Sequence, residues 1–120
     1  MSNIHMDHKV LNELQEVMEA EFPVLLDIFL SDSDQRLDQL HQATDPRDVT
    51  VVAHSFKGSS SNMGAIRLAH LCGQLEERAL KKQLSDLKEL VIKIDHEYQM
   101  VRELYWAERQ RFPLHSPANT

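Results

Sequence analysis

The chain contains a single cysteine, Cys72, so it can form no internal disulfide. It has no basic excess: 13 lysines and arginines stand against 19 acidic residues, for a formal net charge of -6. That balance argues against nucleic acid as a partner, because such proteins carry a basic stripe. No run of about eighteen apolar residues is present to span a bilayer. Met1 to Asp7 is polar and no apolar stretch follows it, so no secretory signal is expected. Together these absences point to the cytoplasm, with no membrane partner. Glycine and proline are scarce, at three and four residues, and they sit near apparent element boundaries. Sustained two-residue alternation with β-branched residues is also missing, which removes the usual signature of strands.

What remains is helical periodicity in a chain of 120 residues, enough for one compact domain. Asp7 is a good N-cap, and Val10, Leu11, Leu14, Val17 and Met18 follow as an apolar stripe. Phe22-Pro23 interrupts it, since the residue before proline is disfavoured in the α region, and Pro23 can open the next helix. That second helix carries Leu25, Leu26, Phe29, Leu30, Ser33, Leu37 and Leu40 inward and should end near Ala43. Asp45-Pro46 caps and opens a third helix, which terminates at Asn62-Met63-Gly64 with Gly64 left-handed. A fourth carries Ile66, Ala69, Cys72, Leu75, Ala79 and Leu80 inward and ends around Lys81-Lys82. Ser85 caps a fifth, in which Leu87, Leu90, Val91, Ile94, Tyr98, Val101 and Tyr105 recur to about Arg109. The connections are short, so successive helices should be antiparallel neighbours. The expectation is an all-α, antiparallel up-down-up-down four-helix bundle with an additional short N-terminal helix. Residues 1–111 would form the domain and residues 112–120, with two prolines and no periodicity, a flexible C-terminal tail.

The third helix contains residues that a helix does not favour. Ala53-His54-Ser55-Phe56-Lys57-Gly58 is followed by three serines and by Asn62-Met63-Gly64-Ala65. A mid-helix glycine costs about 1 kcal/mol relative to alanine. Projected at about 100° per residue, Val49, Val52, Phe56 and Met63 collect on one side and His54 falls opposite them, facing solvent. Lys57 lies on one flank of His54; Gly58 and Ser61 lie on the same outward face. A neutral imidazole is a competent nucleophile near neutral pH. Lys57, one turn away, would favour an anion arriving at His54. Gly58 would leave room for a partner's surface, and the serines would extend that clearance. A convex helix face has neither a water-excluding pocket nor an oriented base, so phosphoryl relay suits it better than hydrolysis.

These residues resemble the signature of histidine-containing phosphotransfer (HPt) domains, which Leu68, Cys72 and Leu75-Glu76 continue into the next helix. The resemblance covers Asp7 to about Arg109 and is similar to the small stand-alone phosphotransfer proteins of Gram-negative bacteria. It implies a phosphohistidine at His54, phosphoryl support from Lys57 and partner access at Gly58. Phe56 stands where the motif more often has leucine. The phosphoryl group would come from the aspartate of one receiver domain and pass to the aspartate of another, the partners being the receiver domains of a hybrid sensor kinase and of a response regulator. The receivers of such relays bring the Mg²⁺, so no cofactor and no metal of the chain's own are implied. With no glycine-rich nucleotide loop, the chain should be a phosphoryl carrier without ATP-dependent kinase activity. Val51, Ser55, Ser61 and Ala65 are rim candidates for a receiver, and a monomer suits a shuttle.

Other sites carry less. Seven histidines are present, but there is no Glu-x-x-His pair of the kind that builds di-iron bundle sites. His5 and His8 fall in what reads as an unstructured start, and His70 and His96 read as surface or boundary residues. Cys72 is in register with core positions, and Trp106 is placed to cover a bundle end. The alternatives to a phosphorelay carrier are a non-catalytic helical adaptor using the same face and a metal- or haem-binding bundle.

Overall fold

The computed structural model describes residues 4–113, and among them every regular element is helical. The elements are α1 (His8–Met18), a short 3-10 turn (Glu19–Glu21), α2 (Phe22–Gln42), α3 (Pro46–Asn62), α4 (Ile66–Leu80), a second 3-10 turn (Leu84–Asp86) and α5 (Leu87–Gln110). Helices α2 to α5 form the bundle. Each packs on two neighbours, α3 most extensively on α4, with α4 on α5, α5 on α2 and α2 on α3 closing the ring. The expected four-helix bundle with its short N-terminal helix is therefore the observed architecture.

The boundaries follow from local chemistry. Asp7 caps α1, its carboxylate accepting from the backbone N–H groups of Lys9 and Val10 at 3.0 and 3.4 Å. Asp45 caps α3 by accepting from the Arg47 N–H at 2.9 Å, with Pro46 in the first turn. Gly64 terminates the α3 side with φ 79°, the left-handed conformation that glycine adopts without strain. Two boundaries differ from expectation. Phe22 is helical, at φ -60° and ψ -45°, despite preceding Pro23; the chain breaks instead at Glu19, at φ 50°. Burial of the Phe22 ring, which meets Phe112 edge-on at 5.5 Å, accounts for holding that residue in the helix. Ser85 does not cap α5. It lies within the 3-10 turn, and α5 starts at Leu87 with no side-chain cap.

The core is one continuous cluster drawn from all five helices, including Leu11, Phe22, Leu26, Phe56, Leu68, Leu75, Ile94, Val101 and Tyr105. Ser33 and Ser60 are fully buried among them, so Ser60 adds nothing to the clearance expected of the serines. The stripe on α4 is shifted from its expected position. Leu68 and Leu71 are buried, whereas Ile66 and Leu80 are exposed, because α4 must face both α3 and α5. Val17 and Trp106 are also exposed, at 78% and 54%. Phe112, assigned to the tail from the sequence, packs on the core; residues 114–120 of that expected tail lie outside the described residues.

The residues before α1 are part of the packing. Met6 is buried, Asp7 N–H donates to the Gly64 carbonyl at 2.8 Å, and Arg67 N–H donates to the Ile4 carbonyl at 2.9 Å. His5 Nδ1 lies 2.6 Å from the buried Glu97 carboxylate. His5 is thus not in a loose start but helps seat residues 4–7 over the α3–α4 turn. Single-sequence periodicity does not register this strap, because its partners are far away in the chain.

Candidate functional site

His54 stands on α3 with its side chain 70% exposed, on the outward face opposite buried Val49, Ala53, Phe56 and Ser60. Its Nδ1 lies 2.7 Å from Glu76 Oε2 on α4. The other oxygen of that carboxylate, Oε1, accepts from Lys57 Nζ at 2.6 Å. One carboxylate therefore bridges the histidine and the lysine. The Lys57 ammonium, and after it the His54 ring, hold the Glu76 carboxyl below the usual carboxylate range by hydrogen bonding to its charged form.

An ionised carboxylate can only accept a hydrogen bond, so Nδ1–H donates to Glu76, which defines the tautomer with hydrogen on Nδ1 and a lone pair on Nε2. That leaves Nε2 as the nucleophilic nitrogen of a ring fixed in orientation by Glu76. Lys57 adds a positive charge one turn along, and its stem runs beside Gly73, where an added Cβ would lie 3.3 Å from Lys57 Cδ.

The other predicted site residues are placed as follows. A Cβ built at Gly58 would meet nothing within 4 Å, so the glycine faces open space beside the ring. Val51 is 69% exposed, one turn before His54, and Ser61 is exposed one turn beyond Gly58. Ser55 is half-buried, its hydroxyl accepting from Arg36 Nε on α2 at 2.9 Å. Ala65 departs from expectation. It is fully buried, because the reversal at Gly64 turns it into the core, and it cannot be a rim contact.

Sequence reasoning named Glu76 only as part of a motif and missed its bridging role. A signal was present. The α3–α4 turn spans three residues, so antiparallel positions can be counted across it. His54 lies ten residues before Gly64 and Glu76 twelve after; Lys57 lies seven before and Gly73 nine after, the same offset. Among the described residues no three histidine, cysteine or acidic side chains are grouped to hold a metal ion. The Cys72 thiol is buried, and burial pushes its pKa up to about 12, leaving it inert.

The bundle thus presents on a convex face an exposed histidine, its Nδ1 bonded to a carboxylate and a lysine alongside, open to a macromolecular partner. The chain belongs to the Hpt domain family, whose model matches residues 24–104. It is similar to the phosphorelay protein LuxU of Vibrio vulnificus, in strains YJ016 and CMCP6, at 30% identity over 95 residues, covering 76% of this chain and 83% of the relative. It is also similar to the crystal structure of histidine-containing phosphotransfer protein B (HptB) from Pseudomonas aeruginosa PAO1, with 49% identity, a TM-score of 0.88, and coverage of 91% of this chain and 97% of that one. The protein is a histidine phosphotransfer protein of phosphorelay signalling, and Hpt proteins work there with receiver domains. No helix among the described residues is long and apolar enough to cross a membrane.

Proposed function

We propose that His54 is the phosphoryl-carrying residue, accepting the group from the aspartyl phosphate of one receiver domain and giving it to the aspartate of another. The observation that carries this reading is the Glu76 bridge, which commits Nδ1 to a hydrogen bond and leaves Nε2 free on an exposed ring. In the forward step the Nε2 lone pair attacks phosphorus. The N–P bond forms, the P–O bond to the receiver carboxyl breaks, and the aspartate leaves as carboxylate. The Nδ1 proton stays in place, so the ring becomes an imidazolium that Glu76 stabilises. The return step uses the same charge, because a protonated imidazole is a better leaving group than a neutral one. Lys57 supports the phosphoryl oxygens, and Gly58 leaves the approach open.

Val51 and Ser61 are rim contacts for the receiver in this reading, and Ser55 contributes through its bond to Arg36. The partners are the receivers of a hybrid sensor kinase and of a response regulator, met in the cytoplasm by a monomer whose His54 face stays uncovered. The chain brings no nucleotide chemistry and needs no metal of its own.

The test is to incubate the protein with a phosphorylated receiver and look for acid-labile, alkali-stable phosphate. His54→Gln should abolish labelling while shifting stability by less than about 0.5 kcal/mol, as expected for an exposed side chain. Labelling that persists in His54→Gln would move the site to another histidine. No labelling by any receiver of the source organism would sink the function itself.

A further inference from the structure

We propose that Arg36 on α2 is a specificity-determining residue, a cation that selects which receiver docks on His54. The proposal rests on the functional reading above and deepens it. Val51 stands as a ridge with a groove on each side. The groove toward α2 has a volume of about 260 Å³ and is lined by Asp32, Arg36, Val51 and Ser55 among others.

Arg36 is held at this groove in an incompletely satisfied state. Its Nε donates to Ser55 Oγ at 2.9 Å, the residue next to His54. Its Nη1 is buried with no hydrogen-bond partner, and the nearest carboxylate oxygen, on Asp32, is 3.8 Å away, beyond hydrogen-bond range. A guanidinium offers five N–H donors in a rigid fork suited to carboxylates. Nη1 itself is enclosed, so what a partner can reach is the 23% of the Arg36 side chain that stays exposed at the groove.

The two flanks of His54 thus differ. On the α4 side, Lys57 is already engaged by Glu76, close to where a phosphoryl group forms, and its work is the same for every receiver. On the α2 side, Arg36 stands beside a groove that a partner's side chain can enter. Beyond Asp32, two turns along α2 from Arg36, Ile28 is exposed at 51%. A receiver approaching His54 on this side therefore meets the Arg36 cation with exposed Val51 across the groove and the Asp32 carboxylate one turn along α2. The surface it fits is that of a receiver presenting a carboxylate opposite Arg36 and an apolar side chain against Val51. Charge complementarity of this kind governs partner choice more than the chemical step.

The test measures phosphoryl transfer from at least two phosphorylated receivers of the source organism to the full chain, as a function of receiver concentration. Wild type is compared with Arg36→Lys, Arg36→Gln and Arg36→Glu. For the preferred receiver, Arg36→Glu should raise KM by about ten-fold or more while the saturating rate changes by less than about three-fold. Arg36→Lys should stay within about three-fold of wild type, and the receivers should change rank in Arg36→Glu. Added salt should raise KM for wild type more steeply than for Arg36→Glu. Should Arg36→Glu fail to fold, Arg36→Gln carries the same comparison at smaller amplitude. A KM within about two-fold of wild type in the folded Glu or Gln variant overturns the proposal. So does equal impairment by Lys, Gln and Glu for every receiver in step with lost thermal stability, since that is the signature of a helix tie. If wild type accepts no phosphoryl group from any receiver, the functional reading itself fails, and this proposal with it.

Discussion

Replacing Glu76 with glutamine tests the site at its most informative point. The amide oxygen still accepts from His54 Nδ1, and the volume is nearly unchanged, so the substitution removes charge more than shape. A hydrogen bond to a charged group contributes about 1.5–3 kcal/mol and a neutral one about 0.5–1.5 kcal/mol. The difference is about 1–1.5 kcal/mol before screening. The histidine is 70% exposed, and water screens its charge, so the lower end applies. A loss of about 1 kcal/mol in transition-state stabilisation is about a five-fold fall in rate. A buried carboxylate holding a catalytic imidazole is worth about four orders of magnitude, so a fall of that size in Glu76→Gln would contradict the exposed geometry. Glu76→Ala removes the acceptor as well and should cost about ten- to thirty-fold, partly offset because Lys57 is released toward the phosphoryl group. Quenched-flow transfer from a phosphorylated receiver at saturation measures both. Imidazole ¹⁵N shifts should show the proton on Nδ1 in wild type and a mixture of tautomers in Glu76→Ala. Rates within about two-fold of wild type in both variants, or an unchanged tautomer in Glu76→Ala, would refute the role assigned to Glu76.

Gly58→Ala should raise the thermal midpoint by a few degrees, because alanine is about 1 kcal/mol better in a helix and its Cβ meets nothing within 4 Å. Gly58→Gln should fold equally well yet weaken receiver binding by about ten-fold or more, measured as KM for transfer, because the longer side chain occupies the approach to His54. Gly64→Ala should cost at least about 1–2 kcal/mol in urea denaturation: φ is 79°, and the new Cβ would lie 3.1 Å from the Asp7 carbonyl oxygen. Acid should act on Glu76 with a defined sign. Its folded-state pKa lies below the ordinary value of about 4.3, so its stabilising contribution is present above that value and is lost as pH falls through the lowered one. The stability difference between wild type and Glu76→Gln, from denaturation at a series of pH values, should therefore shrink below about pH 4.

The helical layout was legible because helix caps and apolar periodicity act over three to seven residues. Asp7, Asp45-Pro46 and Gly64 mark boundaries by backbone chemistry that needs no distant partner. The outward direction of His54 and Gly58 was readable for the same reason: one helix has one geometry, and the buried stripe on α3 sets its opposite. The sequence by itself thus determined the helices, their antiparallel order and the face that carries the histidine.

Tertiary structure decided the rest, because it sets which faces meet. The inward side of α4 depends on its two neighbours, so Leu68 and Leu71 replaced Ile66 and Leu80 in the core. Ala65 looked like a rim residue next to Gly64 until the reversal there turned it inward. Residues 4–7 are ordered by contacts with Gly64, Arg67 and Glu97, all remote in sequence. Above all, the Glu76 carboxylate reaches His54 and Lys57 across an interhelical register, and Arg36 reaches Ser55 from the opposite side. A side chain's nucleophilicity depends on the charges and dipoles a few ångströms away in space. Periodicity along the chain places the histidine outside; the packing of α2 and α4 against α3 decides what stands beside it.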